Sequence, residues 1–287
     1  AVEFTYRYSA ASTDRRPHPG DAAAAQARLE EGNRQFALAF DPANAAARHV
    51  IDVDPVDVNL RLGSKGVVAQ QPYAAILGCA DARVPIELIF NEGPNELFVV
   101  RIAGNGLGSD VLGSISYAAS HFRDHLKLIV VLGHSNCGAV ASAVDLFLAP
   151  ANYLPLSGNL ALRGVLDRLT IVIQAAQRRL LEAFGGDIVR HPGYRRALIV
   201  ASTATHAALV ASMVAEEIDR QRGAPLRTAY GVYEVETRQV WSPGDQDDAR
   251  ETDRAGLSPA PGDQASFARL ADRLVHSPRV RGSLGVR

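Results

Sequence analysis

The chain has 287 residues, of which 47% are hydrophobic and 21% charged, and its formal net charge is −1. That balance belongs to a globular protein with one sizeable core or a core with extensions, and it gives no support for a nucleic-acid or membrane-surface partner. No run approaches the roughly 18 apolar residues of a membrane span.

The N-terminal "AVEFTYRYSAASTDRRPHPGD" lacks the basic start and apolar centre of a signal peptide. A start at Ala1 leaves open one already removed. Cys79 and Cys137 are too few for a disulfide scaffold, so a reduced, cytoplasmic setting is the default expectation. Two cysteines still suffice for one bridge or one metal site.

Residues 21–39, "DAAAAQARLEEGNRQFALA", read as a helix with Leu29, Phe36 and Leu38 as its apolar points. The stretch that follows, rich in Asp, Asn and Pro, reads as a long irregular connection wrapping the surface. "YAAIL" (73–77), "ELFVVRI" (96–102) and "LKLIVVLG" (126–133) are β-branched apolar runs of strand length. Helix-compatible stretches follow them at 85–91, 109–123 and 137–148. Strands alternating with helices predict a mainly parallel sheet, and unbroken apolar runs predict strands buried on both faces.

Longer helices are expected at 158–184 and 195–221, and "TAYGVYEVETRQVW" (228–241) reads as a hairpin turning near Glu236 and Thr237. A polar stretch from Ser242 leads to a short helix near 264–275. The predicted class is α/β: a central, mainly parallel sheet flanked by helices, with an N-terminal helical arm and a C-terminal hairpin and extension. The expected division is 1–72 for the arm and wrap-around segment, 73–241 for the α/β core and 242–287 for the extension.

In open α/β sheets, function gathers at the carboxyl ends of strands. The first strong strand ends in "GCADAR" and the third in "GHSNCGA". Neighbouring parallel strands would bring Cys79 to His134 and Cys137. Two thiolates and one imidazole are a recognised zinc set, and three protein ligands leave a position open, the mark of a catalytic site. A buried Cys by itself is commonly a small hydrophobe. A Cys79–Cys137 disulfide competes for the same geometry but leaves His134, Asp81 and Arg83 without a role, so the metal reading is preferred. Asp81 could itself bind the metal. If Arg83 holds its carboxylate in a bidentate pair, Asp81 stays ionised and free to orient a water. The plainer alternative is an ion pair at a helix start.

"CADARVPIELIFNEGPNELFVVRIAGN" followed by "VVLGHSNCGA" resembles the β-class carbonic anhydrases, with their Cys-x-Asp-x-Arg and His-x-x-Cys signatures. The likeness runs from about Glu30 to about Trp241. It implies one Zn2+ per subunit on Cys79, His134 and Cys137, with Asp81 and Arg83 as the catalytic dyad, making 73–241 a zinc-binding catalytic core. It implies reversible hydration of CO2 to bicarbonate and a proton by zinc-bound hydroxide. It also implies a narrow CO2 pocket at a subunit interface, lined by Gln70, Phe98 and Tyr117, in a homodimer or dimer of dimers. Arg101 and Asn105 match the family's "VVR…AGN" run and are expected to have structural duties; Gly104 and Gly138 are expected to permit tight turns beside the metal.

There are departures. Ala82 stands where the family usually has Ser, removing one hydroxyl but no ligand. The segment between Tyr117 and His134 is about two residues longer than usual. Ile76 occupies the place of a Trp that marks a bicarbonate-inhibited form in some bacterial members, which implies the open, Asp–Arg-paired form. His121 and His125 could titrate near neutral pH and pass protons to solvent, against the plainer reading of surface histidines. Two further functions stay open: hydrolysis of COS or CS2 on the same site, and a non-enzymatic structural or sensory zinc protein in which Asp81 takes the fourth position.

Overall fold

The structure is a computed structural model that describes residues 2–8, 17–41, 48–58, 67–151, 158–223, 225–243 and 253–286. In chain order its elements are β1 (Glu3–Tyr8), α1 (Ala22–Ala39), β2 (Arg48–Val53), β3 (Ala74–Cys79), α2 (Ile86–Ile89), β4 (Leu97–Ile102), α3 (Ser109–His121), β5 (Leu128–His134), α4 (Gly138–Leu148), α5 (Leu160–Asp167), α6 (Thr170–Phe184), α7 (Tyr194–Arg222), β6 (Thr228–Tyr233), β7 (Val240–Pro243), β8 (Asp253–Ala255), β9 (Ser258–Pro259), α8 (Gln264–His276) and α9 (Pro278–Ser283).

Every residue of β3 and β5 is buried. Alternate side chains leave opposite faces of the sheet. Ala75, Leu77, Ile129 and Val131 pack into a cluster with residues of α3 and α7, whereas Ala74, Ile76, Leu128 and Val130 pack with Leu29 and Phe36 of α1. A strand covered on both faces needs apolar residues at every position, which is why these segments read as continuous apolar runs.

Strand order is β4-β3-β5-β6-β7-β8, with β9 against β6. The four strands β4, β3, β5 and β6 are mutually parallel, and the later strands join antiparallel. The protein is thus α/β with a mainly parallel central sheet. Because β4 lies on one side of β3 and β5 on the other, the winding direction reverses between β3 and β5. The crevice beyond their carboxyl ends is the switch point at which open α/β sheets hold ligands. Gly78 lies opposite Leu132, so Cys79 and His134 emerge at nearly the same level of that crevice.

α1 is fastened to this sheet by a buried ion pair. Arg28 donates to both oxygens of Glu92, at 2.8 and 2.5 Å, and the Tyr73 hydroxyl donates to Glu92 Oε1 at 2.9 Å. The helix also passes so close to the loop after α2 that a Cβ at Gly32 would lie 1.9 Å from the Phe90 carbonyl oxygen. Only glycine allows that approach. α7, central to both the α3 and α4 sides of the core, is long and apolar enough by composition to cross a membrane. Its apolar window is 72% buried within the fold, the setting of a core helix.

Several expectations change. Leu38 is exposed rather than an apolar anchor. It points about 200° around the helix from Phe36, and Phe36 and Phe40 instead stack with Phe4, at ring distances of 5.7 and 5.4 Å. The expected helix over 158–184 is two helices, α5 and α6, with the break at Arg168–Leu169 letting Leu166 and Leu169 both reach the core. The connection after α1 is not wholly irregular: β2 pairs in parallel with β1, and a 3-10 turn follows at Pro55–Val58. Residues 42–47 and 59–66 of that stretch, and the polar 244–252, lie outside the described residues.

Candidate metal centre and active site

Cys79 is the last residue of β3, His134 the last of β5, and Cys137 the cap of α4. Their sulfur and nitrogen atoms all lie within 4.8 Å of one another and all three residues are buried. Among the described residues, this is the group of His, Cys, Asp and Glu whose donor atoms converge in this way.

The histidine is oriented by its own backbone. His134 Nδ1 lies 2.9 Å from the carbonyl oxygen of Ser135, which can only accept, so Nδ1 carries the proton and Nε2 presents a lone pair. That Nε2 is buried and has no hydrogen-bond partner. An orphaned imidazole lone pair set against two buried thiols is a poor polar core and a good ligand set for zinc, whose bonds to N and S of about 2.0–2.3 Å suit this separation.

The thiols behave as a coupled pair. The Cys137 thiol donating to Cys79 is the main influence pulling the Cys79 pKa down, with His134 and the Asp81 and Gly104 amides adding to it. Gly104 N–H lies 3.3 Å from the Cys79 sulfur. Cys137 is pushed up, first by that same hydrogen bond and then by burial.

Asp81 and Arg83 occupy the turn after β3. Arg83 Nε and Nη2 lie 3.0 and 2.7 Å from the two carboxylate oxygens, and the Arg83 amide donates to Oδ1 at 2.9 Å. These hydrogen bonds hold the Asp81 carboxyl well below the usual carboxylate range, with His134 adding a smaller attraction. Asp81 Oδ2 stands 3.9 Å from His134 Nε2, beyond hydrogen-bond distance. Arg83 Nη2 also donates to the Asn136 carbonyl at 3.0 Å, tying the two sequence motifs together. Arg101 clamps the same turn from beneath, donating to the carbonyls of Cys79 at 3.0 Å and Asp81 at 2.5 Å.

Gly104 has a φ of 65°, as a tight turn there requires. Gly138 does not: its φ is not positive, and a Cβ on it would meet nothing within 4 Å. The left-handed positions beside the cluster are taken instead by Asn105 and Asn136, at φ of 42° and 54°. Asparagine tolerates that region because its side chain is short and polar. Ala82 is exposed on the turn, and the hydrogen bonds just described run around it rather than through it. Ile76 is fully buried in the core.

The remaining candidates do not reach the cluster within one chain. Phe98 and Tyr117 meet each other, with ring centroids 6.3 Å apart. Phe98, however, is the second residue of β4, Tyr117 lies toward the end of α3, and Gln70 precedes β3. All three belong to the amino end of the sheet: Phe98 registers with Ala75, four strand residues and so about 13 Å from Cys79 at about 3.3 Å per residue. Tyr117 is 46% exposed and Gln70 is exposed. His121 stacks on Tyr117 at 3.9 Å, and His125 lies beyond it, at that same distant end.

Residues 74–191, which contain the whole cluster and the Asp81–Arg83 pair, match the family model described as carbonic anhydrase. This part of the chain is similar to the carbonic anhydrases. Carbonic anhydrase 2 of Mycobacterium tuberculosis is 39% identical over 150 residues, covering 52% of this chain and 63% of that protein. The carbonic anhydrase of Mycolicibacterium smegmatis is 41% identical over 105 residues, covering 36% of this chain and 46% of that protein. The chain thus spans less than two thirds of these relatives' length. The solved β-carbonic anhydrase CcaA aligns with 61% of this chain and 81% of its own, at 24% identity and a TM-score of 0.46.

Around the cluster, three contributors carry little signal in the sequence. Ser135 Oγ accepts the Val235 amide at 3.0 Å, bracing the loop that carries His134 and Cys137. Asn136 supplies the left-handed turn there, which an "SNCG" run signals weakly. His206 on α7 contacts Gly104 across 102 residues of sequence, and its alanine-rich surroundings give no sign of this.

Proposed function

We propose that the chain is a zinc-dependent carbonic anhydrase, catalysing the reversible hydration of CO2 to bicarbonate and a proton. The observation that carries this reading is the convergence of Cys79, His134 and Cys137 beside a carboxylate that an arginine holds aside. Those three residues would hold the metal. Zinc bound there supplies a Lewis acid that makes a water-derived nucleophile available near neutral pH. Asp81, kept ionised by Arg83, accepts a hydrogen bond from the reacting water and turns its lone pair toward the carbon of CO2. Arg83 and Arg101 fix the turn that carries Asp81, so orientation is set before substrate arrives. Burial of the cluster limits competing solvent.

The geometry favours this over a closed structural zinc site. Asp81 is not among the converging donors, and both of its oxygens are engaged by Arg83. With zinc held by these three residues, a fourth position would stay open to water or substrate.

The placement of Gln70, Phe98 and Tyr117 at the opposite end of the sheet supports a homodimer, or a dimer of dimers, in which a second copy brings these residues to the cluster. Stopped-flow CO2 hydration, with and without chelator, is the deciding experiment. Zinc-loaded protein with no rate above buffer at pH 8 would refute the assignment, and turnover of COS or CS2 by that same inactive preparation would redirect it to a hydrolase.

A further inference from the structure

α7 carries a histidine that the scheme above does not use. His206 is 3% exposed and sits among Ala204, Ala207 and Ala208, which are fully buried. Its Nε2 lies 3.0 Å from the carbonyl oxygen of Gly104. Because a carbonyl can only accept, Nε2 carries the proton and donates, and Nδ1 is left with a lone pair that has no partner. Burial pushes the ring's pKa down to about 4, so it stays neutral and keeps this one arrangement throughout the neutral range.

Gly104 faces both ways. Its carbonyl takes the His206 proton, and its amide points at the Cys79 sulfur, 3.3 Å away. The residue is held in the left-handed region, and a Cβ on it would press to 3.1 Å on Ala139, two residues beyond Cys137. The 103–105 turn is therefore wedged between two of the three cluster residues, with α7 behind it.

We infer that His206 is a positioning residue for the metal centre: it anchors the Gly104 carbonyl so that the Gly104 amide stays on the Cys79 sulfur. This rests on the zinc reading of the cluster. An N–H aimed at a ligand sulfur orients it and tempers the charge it would donate to the metal. Without the anchor the turn relaxes, and the Gly104 N–H no longer holds the Cys79 sulfur in place beside the other two ligands. Apparent metal affinity falls by about tenfold, the lower end of what a lost outer-shell partner costs. The sulfur-to-metal charge-transfer band moves to lower energy.

The test uses cobalt-loaded full-length protein, reading that band and the affinity by chelator competition. His206→Leu keeps the apolar bulk and removes the donor; it is expected to red-shift the band and lose about tenfold in affinity. His206→Gln places an amide N–H at nearly the reach of Nε2 and is expected to restore both. If the Leu variant does not fold, His206→Asn, one bond too short to reach, takes its place against the Gln variant. A Leu or Asn variant with wild-type band energy and affinity overturns the inference. Wild-type protein that takes up no cobalt refutes the zinc reading itself, and the inference with it.

Discussion

Arg83 meets Asp81 with its side chain on both carboxylate oxygens, at 3.0 and 2.7 Å, while its backbone amide meets one of them again. A carboxylate so engaged stays ionised and stays put, 3.9 Å from the bare nitrogen of His134. Asp81→Asn should therefore keep zinc uptake and lose turnover by at least about a hundredfold, the scale of a lost acid–base group. Metal analysis alongside stopped-flow kinetics checks this, and full activity in the variant would remove Asp81 from the mechanism.

Cys137→Ser should fail at the earlier step. Replacing a buried thiolate ligand lowers zinc affinity by more than the roughly 10–100-fold typical of an outer-shell partner, and activity disappears for want of metal. Competition with a chelator separates this from the Asp81 variant, which should bind zinc normally.

Arg28→Ala tests the seam between α1 and the sheet. Glu92 is fully buried and would lose the guanidinium that meets both of its oxygens. Breaking a buried pair from one side costs about 3–5 kcal/mol. Denaturant unfolding should show that loss, whereas Arg34→Ala, which breaks only the exposed pair with Glu31, should change stability far less.

The neutral state of His206 gives a pH dependence with a defined sign. Its pKa falls from 6.5 to about 4 on folding, so between those values the unfolded chain takes up a proton that the folded chain refuses. Stability should be complete above about pH 6.5 and should fall as pH drops toward 4, by up to about 3 kcal/mol from this group. Asp81, also depressed, acts in a lower window, losing its contribution only as pH falls below the ordinary carboxylate range. Urea unfolding of wild type and His206→Gln at pH 7.5 and pH 5 isolates the histidine: the wild type should lose more stability between the two.

Phe98→Ala should leave metal content unchanged and, in the proposed dimer, reduce kcat/KM by about tenfold or more. Sedimentation velocity on the same sample reports whether the oligomer survives. A monomeric wild type with full activity would show that the distant Phe98–Tyr117 pair has no part in the pocket.

The alternation of strand and helix, the apolar identity of β3 and β5, and the chemical pattern of "CADAR" and "HSNC" were legible in the residues alone. Each is written in local order: period, turn chemistry and spacing along a few residues. Leu38, the break at Arg168–Leu169 and Gly138 show where local pattern stops deciding, because each depends on how the rest of the fold is arranged around it. That β5 lies beside β3, putting Cys79 with His134 and Cys137 more than fifty residues away, follows from the packing of the sheet. The same register separates Gln70, Phe98 and Tyr117 from that cluster within one chain. It likewise decided that a histidine on α7 would reach a carbonyl a hundred residues earlier. Long-range register is a property of the packed core as a whole, and no window of the sequence contains it.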